Sequence, residues 1–205
     1  MIVLGLTGSI GMGKSTALAV FADLGCPTWD ADAAVHRLYG PDGAGAREIA
    51  RLAPDAVGPD GVDRSLLRAA ILAEPALLTR IEAAIHPLVA EDRDAFLAEA
   101  RIAGARIAVC DIPLLFETGA DNWLDRIAVV SAPADTQRAR VLSRPGMTEA
   151  ALDAILAKQV PDAEKRARAD YVIDTSQTKD HARGQIEAIV AGLLAEQPAG
   201  EAPDA

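Results

Sequence analysis

The amino-acid sequence predicts an α/β fold in which helices flank a parallel β-sheet. Three observations predict it. Short runs of apolar and β-branched residues recur along the chain, helical patterns separate these runs, and a glycine-rich loop joins the first run to the first helix. The chain has 205 residues, and 50% of them are apolar. This size suits one α/β domain with an insertion, or two small lobes, around a sizeable core.

The glycine-rich loop matches the phosphate-binding pattern G-x-x-x-x-G-K-[ST] at every fixed position. It follows the apolar run Ile2–Thr7, which predicts a buried strand, and precedes residues Thr16–Leu24, which predict a helix that stops at Gly25. Strand, glycine loop and helix in this order are the context that the motif needs, and they disfavour a chance glycine-rich turn. We therefore predict a P-loop NTPase-type core.

Each residue type in this loop has a mechanical role. Glycines let the backbone turn tightly and aim its N–H groups at phosphate oxygens. Lys14 brings a positive charge to the β- and γ-phosphates, and the Ser15 hydroxyl is the predicted ligand of Mg²⁺. The predicted nucleotide-binding residues of the loop are Gly8, Ser9, Ile10, Gly11, Met12, Gly13, Lys14, Ser15 and Thr16.

Four further strands are predicted after the loop, with helical stretches between them. They are Cys26–Asp30, Ile107–Asp111, Arg126–Ser131 and Tyr171–Asp174. The last helix is predicted from about Asp180 to Glu196, because its apolar residues recur at helical spacing and make one face. Those residues are Ile186, Ile189, Val190, Leu193 and Leu194.

Two segments between the strands lack a strand pattern and divide the chain into parts. Residues 33–104 predict an all-helical insertion, with the helix interrupted near His86–Pro87 because proline disfavours helix at the preceding residue. Residues 137–168 are rich in arginine and lysine and predict a helical lid. The nucleotide-binding core is then residues 1–32, 105–136 and 169–196, and residues 197–205 are predicted to be a disordered tail.

Composition and charge exclude several classes of partner. The formal net charge of −10 argues against broad electrostatic binding to nucleic acid or to an anionic membrane. The two cysteines, Cys26 and Cys110, lie in or beside apolar runs and are predicted to be buried, reduced thiols. With no signal segment and no long apolar span, we expect a soluble cytoplasmic protein. The absence of a His/Cys cluster disfavours a zinc site. A monomer is expected, with an oligomer as the open alternative.

A phosphate loop alone does not distinguish a GTPase, a mechanical ATPase and a small-molecule kinase. A GTPase needs an N-K-x-D motif, and the only asparagine, Asn122, is followed by Trp123. A mechanical ATPase has a long apolar strand that ends in acidic residues, which Ile107–Asp111 fits in part. Asp111 is therefore open to two interpretations, a ligand that assists Mg²⁺ through water or a structural carboxylate at a strand end.

A kinase also needs a group that accepts the proton of the acceptor hydroxyl, and cations for the transferring phosphoryl group. Asp30-Ala31-Asp32 ends the second predicted strand, where parallel sheets place functional groups, so Asp32 is the candidate base. A solvated turn aspartate is the alternative. Arg140 and Arg144 are four residues apart on one predicted helix face of the lid, and they are the candidate cations.

At this point the chain resembles the dephospho-coenzyme A kinase family over nearly its whole length, from Ile2 to about Leu194. The phosphate loop is shared widely, but several separated segments in the right order are more specific. They are Asp30-Ala31-Asp32, His86-Pro87-Leu88-Val89, Pro113-Leu114-Leu115-Phe116-Glu117, Gln137 with Arg140 and Arg144, Gln159, and Ala169-Asp170-Tyr171-Val172-Ile173-Asp174. Ser9, Thr175 and Pro145-Gly146 depart from the usual pattern of the family.

The resemblance implies a kinase with a nucleotide core, a coenzyme A-binding insertion and a lid. It implies transfer of the γ-phosphoryl group of ATP, with Mg²⁺, to the ribose 3′-hydroxyl of dephospho-coenzyme A. By this likeness Asp32 is the base, Lys14 and Arg140 stabilise the transferring charge, Arg144 belongs to the lid, and His36 and His86 contribute to the acceptor site. Two alternatives are a nucleoside or nucleotide kinase of related fold and a nucleotide-dependent binding switch.

Overall fold

The computed structural model describes residues 1–196 and divides them into two compact units. Of the described residues, the first unit contains Met1–Thr28 and residues 100–196, and the second contains Trp29–Glu99. The predicted disordered tail, residues 197–205, lies outside the described residues.

Seven strands and ten α-helices make up the two units. The strands are β1 (Ile2–Thr7), β2 (Thr28–Asp30), β3 (Val57–Gly58), β4 (Gly61–Val62), β5 (Ile107–Asp111), β6 (Arg126–Ser131) and β7 (Tyr171–Asp174). The helices are α1 (Lys14–Asp23), α2 (Ala31–Leu38), α3 (Ala44–Leu52), α4 (Arg64–Ala73), α5 (Ala76–Ile102), α6 (Leu115–Thr118), α7 (Ala134–Leu142), α8 (Glu149–Leu156), α9 (Asp162–Ala167) and α10 (Lys179–Glu196). A 3₁₀ turn spans Pro54–Ala56.

The main sheet has five strands in the order β2-β5-β1-β6-β7, and the pairs β1–β5, β1–β6 and β6–β7 are parallel. This confirms the predicted α/β class, and β1, β5, β6 and β7 have the predicted bounds. Only the second strand differs, because it begins at Thr28 rather than at Cys26. Every residue of β1 and β5 is buried, as expected for strands covered by helices on both faces.

The core of the first unit lies between the sheet and the helices α1 and α10. Phe21 of α1 and Leu4 and Leu6 of β1 are fully buried in it. Four of the five residues predicted for the apolar face of α10 are buried in the same cluster, and Leu194 is partly buried against it. Both cysteines are buried thiols, as predicted, and burial raises the pKa of Cys26.

The second unit is helical except for one hairpin, which the sequence analysis did not predict. Strands β3 and β4 pair in antiparallel fashion through Val57 and Val62, around the turn Pro59-Asp60. With two residues in each strand, the hairpin is too short to produce an alternating pattern. Gly61 has a φ of +94°, and a Cβ there would lie 2.2 Å from the Tyr39 carbonyl oxygen, so the turn requires glycine.

The predicted interruption near His86–Pro87 is wrong, because α5 continues through Pro87 for 27 residues. Proline removes one backbone hydrogen bond from a helix, but it does not end the helix when packing on both sides holds the axis. Ile85 before the proline is buried, and Leu88 and Val89 after it pack against the same core cluster. That shared packing keeps α5 intact.

The arginine-rich residues 137–168 fold as α7, α8 and α9 within the first unit. Each helix contributes a buried side chain, namely Val141, Leu152 and the unusual Lys165. Across residues 1–196, no helix combines the length and apolar content that crossing a bilayer requires.

Candidate active site

The loop between β1 and α1 adopts a conformation that its glycines make accessible. Gly11 and Gly13 have φ values of +78° and +89°, a region that other residues rarely enter. At Gly8 the limit is space, because a Cβ would lie 2.6 Å from the Val130 carbonyl oxygen. Helix α1 then begins at Lys14 with no acidic residue in its first turn, so its N-terminal dipole is available to an anion.

Lys14 forms an ion pair with Asp111 at the end of β5. Asp111 lies beside Leu6 of β1 in the parallel register, and only 2% of its side chain is exposed. Both interpretations of Asp111, a structural carboxylate and a ligand that assists Mg²⁺ through water, stay predictions, because the ion pair places Asp111 beside the phosphate loop in either case. A phosphate bound at this loop would contact the same Lys14 ammonium that pairs with Asp111.

Arg140 of α7 is connected to the loop through Thr175, which follows β7. Arg140 Nη1 donates to Thr175 Oγ1 at 3.1 Å, and Nη2 donates to the Thr175 carbonyl oxygen at 2.6 Å. Thr175 Oγ1 in turn donates to the carbonyl oxygen of Met12, at 2.7 Å. Sequence analysis treated Thr175 only as a departure from a pattern, because partners so distant in sequence leave no local signal.

A pocket of about 280 Å³ lies beside the loop within the first unit. Its wall combines apolar side chains with hydroxyl groups, and two guanidinium groups complete it. This composition suits a flat polar ring attached to an anionic group. The lining residues are Gly11, Gly13, Thr16, Ala17, Val20, Arg140, Arg144, Thr175, Gln177, Thr178, Lys179, Ala182 and Ile186. The structure therefore brings together the loop, Arg140 and Arg144.

The predicted acceptor-site residues lie in the second unit. Asp32 is exposed in the first turn of α2, and His36 is exposed one turn later on the same helix. Asp30 caps α2, since its side chain accepts a hydrogen bond from the Ala33 N–H at 3.0 Å. The local sequence Asp30-Ala31-Asp32 therefore has two separate roles, a helix cap and an exposed carboxylate. His86 is exposed on α5.

Helix α5 is joined to the segment that carries Asp32 through Asp92. Asp92 Oδ1 accepts hydrogen bonds from Trp29 Nε1 at 2.7 Å and from Arg37 Nη2 at 2.6 Å. Burial acts to raise the pKa of Asp92, but the hydrogen bonds from Trp29 and Arg37 and the Arg37 charge outweigh it and lower that pKa. Asp92 therefore joins α5 to Trp29, which precedes α2, and to Arg37 in the last turn of α2.

Comparison with known proteins agrees with this geometry. The family model for dephospho-CoA kinase matches residues 2–180. The chain is 57% identical over 190 residues to the dephospho-CoA kinase of Mesorhizobium japonicum, with 93% of this chain and 95% of that protein covered. It is 55% identical over 193 residues to the dephospho-CoA kinase of Brucella melitensis, with 94% and 96% covered. The crystal structure of TT1252 from Thermus thermophilus has a TM-score of 0.78 at 32% identity, with 97% and 98% covered.

Proposed function

Because the chain belongs to the dephospho-CoA kinase family, which phosphorylates dephospho-CoA in the last step of CoA biosynthesis, we propose that it performs this reaction. The γ-phosphorus of ATP bonds to the ribose 3′-oxygen of dephospho-CoA and loses its bond to the β,γ-bridging oxygen. ADP and CoA are the products. The observation that carries the proposal is the phosphate loop, with left-handed glycines before a helix that begins at Lys14.

The donor nucleotide binds along the loop and in the adjoining pocket. The N–H groups of the loop residues that follow Ile10 and the Lys14 ammonium hold the phosphates, and the pocket takes the base. Arg140 stabilises the transferring charge, and Arg144 from the lid segment covers the nucleotide. Support comes from the fact that both arginines line the pocket with Gly11 and Gly13.

Asp32 is the proposed base. Its carboxylate takes the proton of the 3′-hydroxyl as the new bond to phosphorus forms. Its support is an exposed position in the first turn of α2, after a cap that Asp30 supplies. His36 and His86 are the proposed contributors to acceptor binding, with the second unit as the acceptor-binding part of the chain.

The donor set suits Mg²⁺ as the cofactor that accompanies ATP. The Ser15 hydroxyl is exposed at the start of α1, and oxygen is the ligand atom that Mg²⁺ prefers. Within residues 1–196 no three His, Cys, Asp or Glu side chains gather as metal ligands. That agrees with an ion that takes most of its ligands from water and phosphate. When bound, Mg²⁺ neutralises charge on the phosphate oxygens.

The proposal includes a cytoplasmic monomer that has no nucleic-acid or membrane partner. The net charge of −10 supports the absence of polyanionic partners. Light scattering on a sizing column measures the monomer directly, and a mass of two or more chains would contradict it.

A panel of acceptors in one ADP-release assay tests the activity. We expect Mg·ATP to be consumed with dephospho-CoA, with the product identified as the 3′-phosphate by NMR. Adenosine and AMP represent the nucleoside and nucleotide kinase alternative. Turnover with either of these but not with dephospho-CoA would refute the proposed substrate. Binding of ATP without transfer to any acceptor would favour a binding switch.

A further inference from the structure

Glutamine side chains bind both backbone polar groups of Ile10 in the phosphate loop. Gln159 Oε1 accepts a hydrogen bond from the Ile10 N–H at 3.2 Å. Gln137 Nε2 donates to the Ile10 carbonyl oxygen at 2.8 Å. The Ile10 N–H belongs to the peptide unit before its Cα and the Ile10 carbonyl to the peptide unit after it, so the two side chains fix the orientation of two successive peptide units of the loop.

The two glutamines come from different parts of the arginine-rich segment, Gln137 from its start and Gln159 from the turn before α9. Gln137 is buried on α7, and Gln159 lies in the turn between α8 and α9. Neither residue has a role in the proposed reaction, although both stood among the motifs of the sequence. Both glutamines bind Ile10, so residues 137–159 contact the phosphate loop at Ile10 through their first and last residues.

Glu117 fixes the turn that carries Gln159. Its Oε1 accepts a hydrogen bond from the Val160 N–H at 2.8 Å, and Lys165 Nζ lies 2.8 Å from the same oxygen. Burial acts to raise the pKa of Glu117, but Lys165 and the Val160 N–H outweigh it and lower that pKa. The chain of contacts thus runs from Glu117 through Val160 and Gln159 to Ile10.

Stability alone does not account for this ion pair. The Lys165 side chain is fully buried, and its contact with Glu117 is poorly aligned for a hydrogen bond. Glu117 Oε2 is also buried, with no hydrogen-bond partner among the described residues. Buried ion pairs are often no more stabilising than apolar side chains of the same size, so the pair is better explained by the position it imposes.

We propose that Gln159 is a positioning residue for the phosphate loop and that Glu117 acts through it by seating the turn at Val160. This inference rests on the proposed function, in which the loop binds the phosphates of ATP. With the two peptide units on either side of the Ile10 Cα fixed, the loop N–H groups that follow are oriented before ATP arrives. Preorganisation of this kind lowers the cost of binding.

Three variants of the glutamines test the inference by steady-state kinetics. Gln159→Met removes the acceptor, and we expect the KM for Mg·ATP to rise about tenfold, the effect of one lost hydrogen bond. The KM for dephospho-CoA and the unfolding temperature without nucleotide should stay close to wild type. A general structural defect would instead change all three quantities.

Gln159→Glu and Gln137→Glu form a matched pair, since each adds one negative charge beside Ile10. Gln159→Glu keeps an oxygen that accepts from the Ile10 N–H, whereas Gln137→Glu loses the donor to the Ile10 carbonyl. We expect a smaller rise in the KM for Mg·ATP for Gln159→Glu. Equal effects of the two variants would contradict positioning by hydrogen bonds, and this comparison decides the matter even if Gln159→Met does not fold.

Two double variants test Glu117 without leaving a buried charge. Glu117→Gln with Lys165→Met keeps an acceptor for the Val160 N–H, whereas Glu117→Leu with Lys165→Met removes it. Only the double variant with Glu117→Leu should show the raised KM for Mg·ATP that we expect for Gln159→Met. One result would overturn this inference and leave the proposed function intact: wild type binds Mg·ATP, while Gln159→Met and the double variant with Glu117→Leu both have the wild-type KM for Mg·ATP. If wild type does not bind Mg·ATP, the proposed function fails and this inference fails with it.

Discussion

Lys14 has a structural role before any nucleotide binds, because its ammonium pairs with the buried Asp111 carboxylate. We expect Lys14→Ala to lower the free energy of unfolding by about 3 kcal/mol, since a buried charge loses its counter-charge. The variant should also bind Mg·ATP poorly. Urea unfolding and calorimetric titration measure the two effects separately.

The double variant Lys14→Ala with Asp111→Asn supplies the control. Neutralising the carboxylate should restore most of the lost stability but none of the affinity for ATP. If stability does not recover, the ion pair is not what Lys14 contributes to the fold. If ATP still binds to either variant as it binds to wild type, the phosphate-loop interpretation is wrong.

Asp32 is the residue on which the proposed proton transfer depends. Asp32→Asn keeps the size of the side chain but cannot accept the proton, so we expect turnover to fall by about 10²–10⁴-fold. ATP affinity should stay near wild type, because Asp32 is proposed to act on the acceptor hydroxyl and not to bind the nucleotide. Asp60→Asn makes the same charge change at an exposed hairpin turn of the second unit, and it should keep full turnover. Equal turnover in all three proteins would remove Asp32 as the base.

At the scale of residues, the sequence predicts what is local and misses what joins distant positions. Spacing alone identified the loop and assigned Lys14 to the phosphates, because the motif is contiguous. The contacts of Thr175 with Arg140 and Met12, and of Glu117 with Val160, depend on how the chain folds back on itself. A single sequence carries no pattern for such pairs.

At the scale of elements, Asp92 gives the second unit a dependence on pH. The pKa of Asp92 is lower in the folded protein than the ordinary value of 3.8. Its contribution to stability is therefore fully present above that value and is lost as pH falls through the lower, folded pKa. In Asp92→Asn, we expect a shallower decline of the free energy of unfolding between about pH 2 and 5.

The fluorescence of Trp29 reports the same contact, because its indole N–H donates to Asp92. Urea unfolding followed by fluorescence at several pH values measures the slope. Asp94→Asn removes the same charge from an exposed position on the same helix, and it should keep the wild-type slope. An unchanged slope in Asp92→Asn would contradict the role given to this carboxylate.

Elements are predicted well where their pattern is long or buried, and poorly where packing overrides a local preference. Strands β1, β5, β6 and β7 have the predicted bounds, because each is a short continuous run rich in apolar, β-branched residues, although in the edge strand β7 only Ile173 is buried. Pro87 was misleading, since its effect on a helix depends on neighbours that lie outside α5. The strands β3 and β4 are too short to show the alternation of apolar and polar residues that would predict a hairpin.

For the whole molecule, the alternation of strands and helices predicted the parallel sheet, although not the order β2-β5-β1-β6-β7. Because ATP is proposed to bind the folded first unit and not the unfolded chain, it should stabilise the protein. At a concentration one hundred times its Kd, Mg·ATP should add about 2.7 kcal/mol to the free energy of unfolding. Thermal unfolding with and without Mg·ATP measures this effect, which Lys14→Ala should abolish.

The burial of Lys165 affects how the lysine side chains of this protein react with acylating reagents. The chain has four lysines, since most of its positive charge comes from arginine. Lys14 lies in the phosphate loop, Lys158 is exposed beside Gln159, Lys179 lines the pocket, and Lys165 is closed to solvent. An acylating reagent would therefore modify the exposed Lys158 and Lys179 first, because the ion pair with Asp111 partly shields Lys14. Lys165 would react only when α9 separates from α6, so its rate of acylation would record how often that part of the molecule opens.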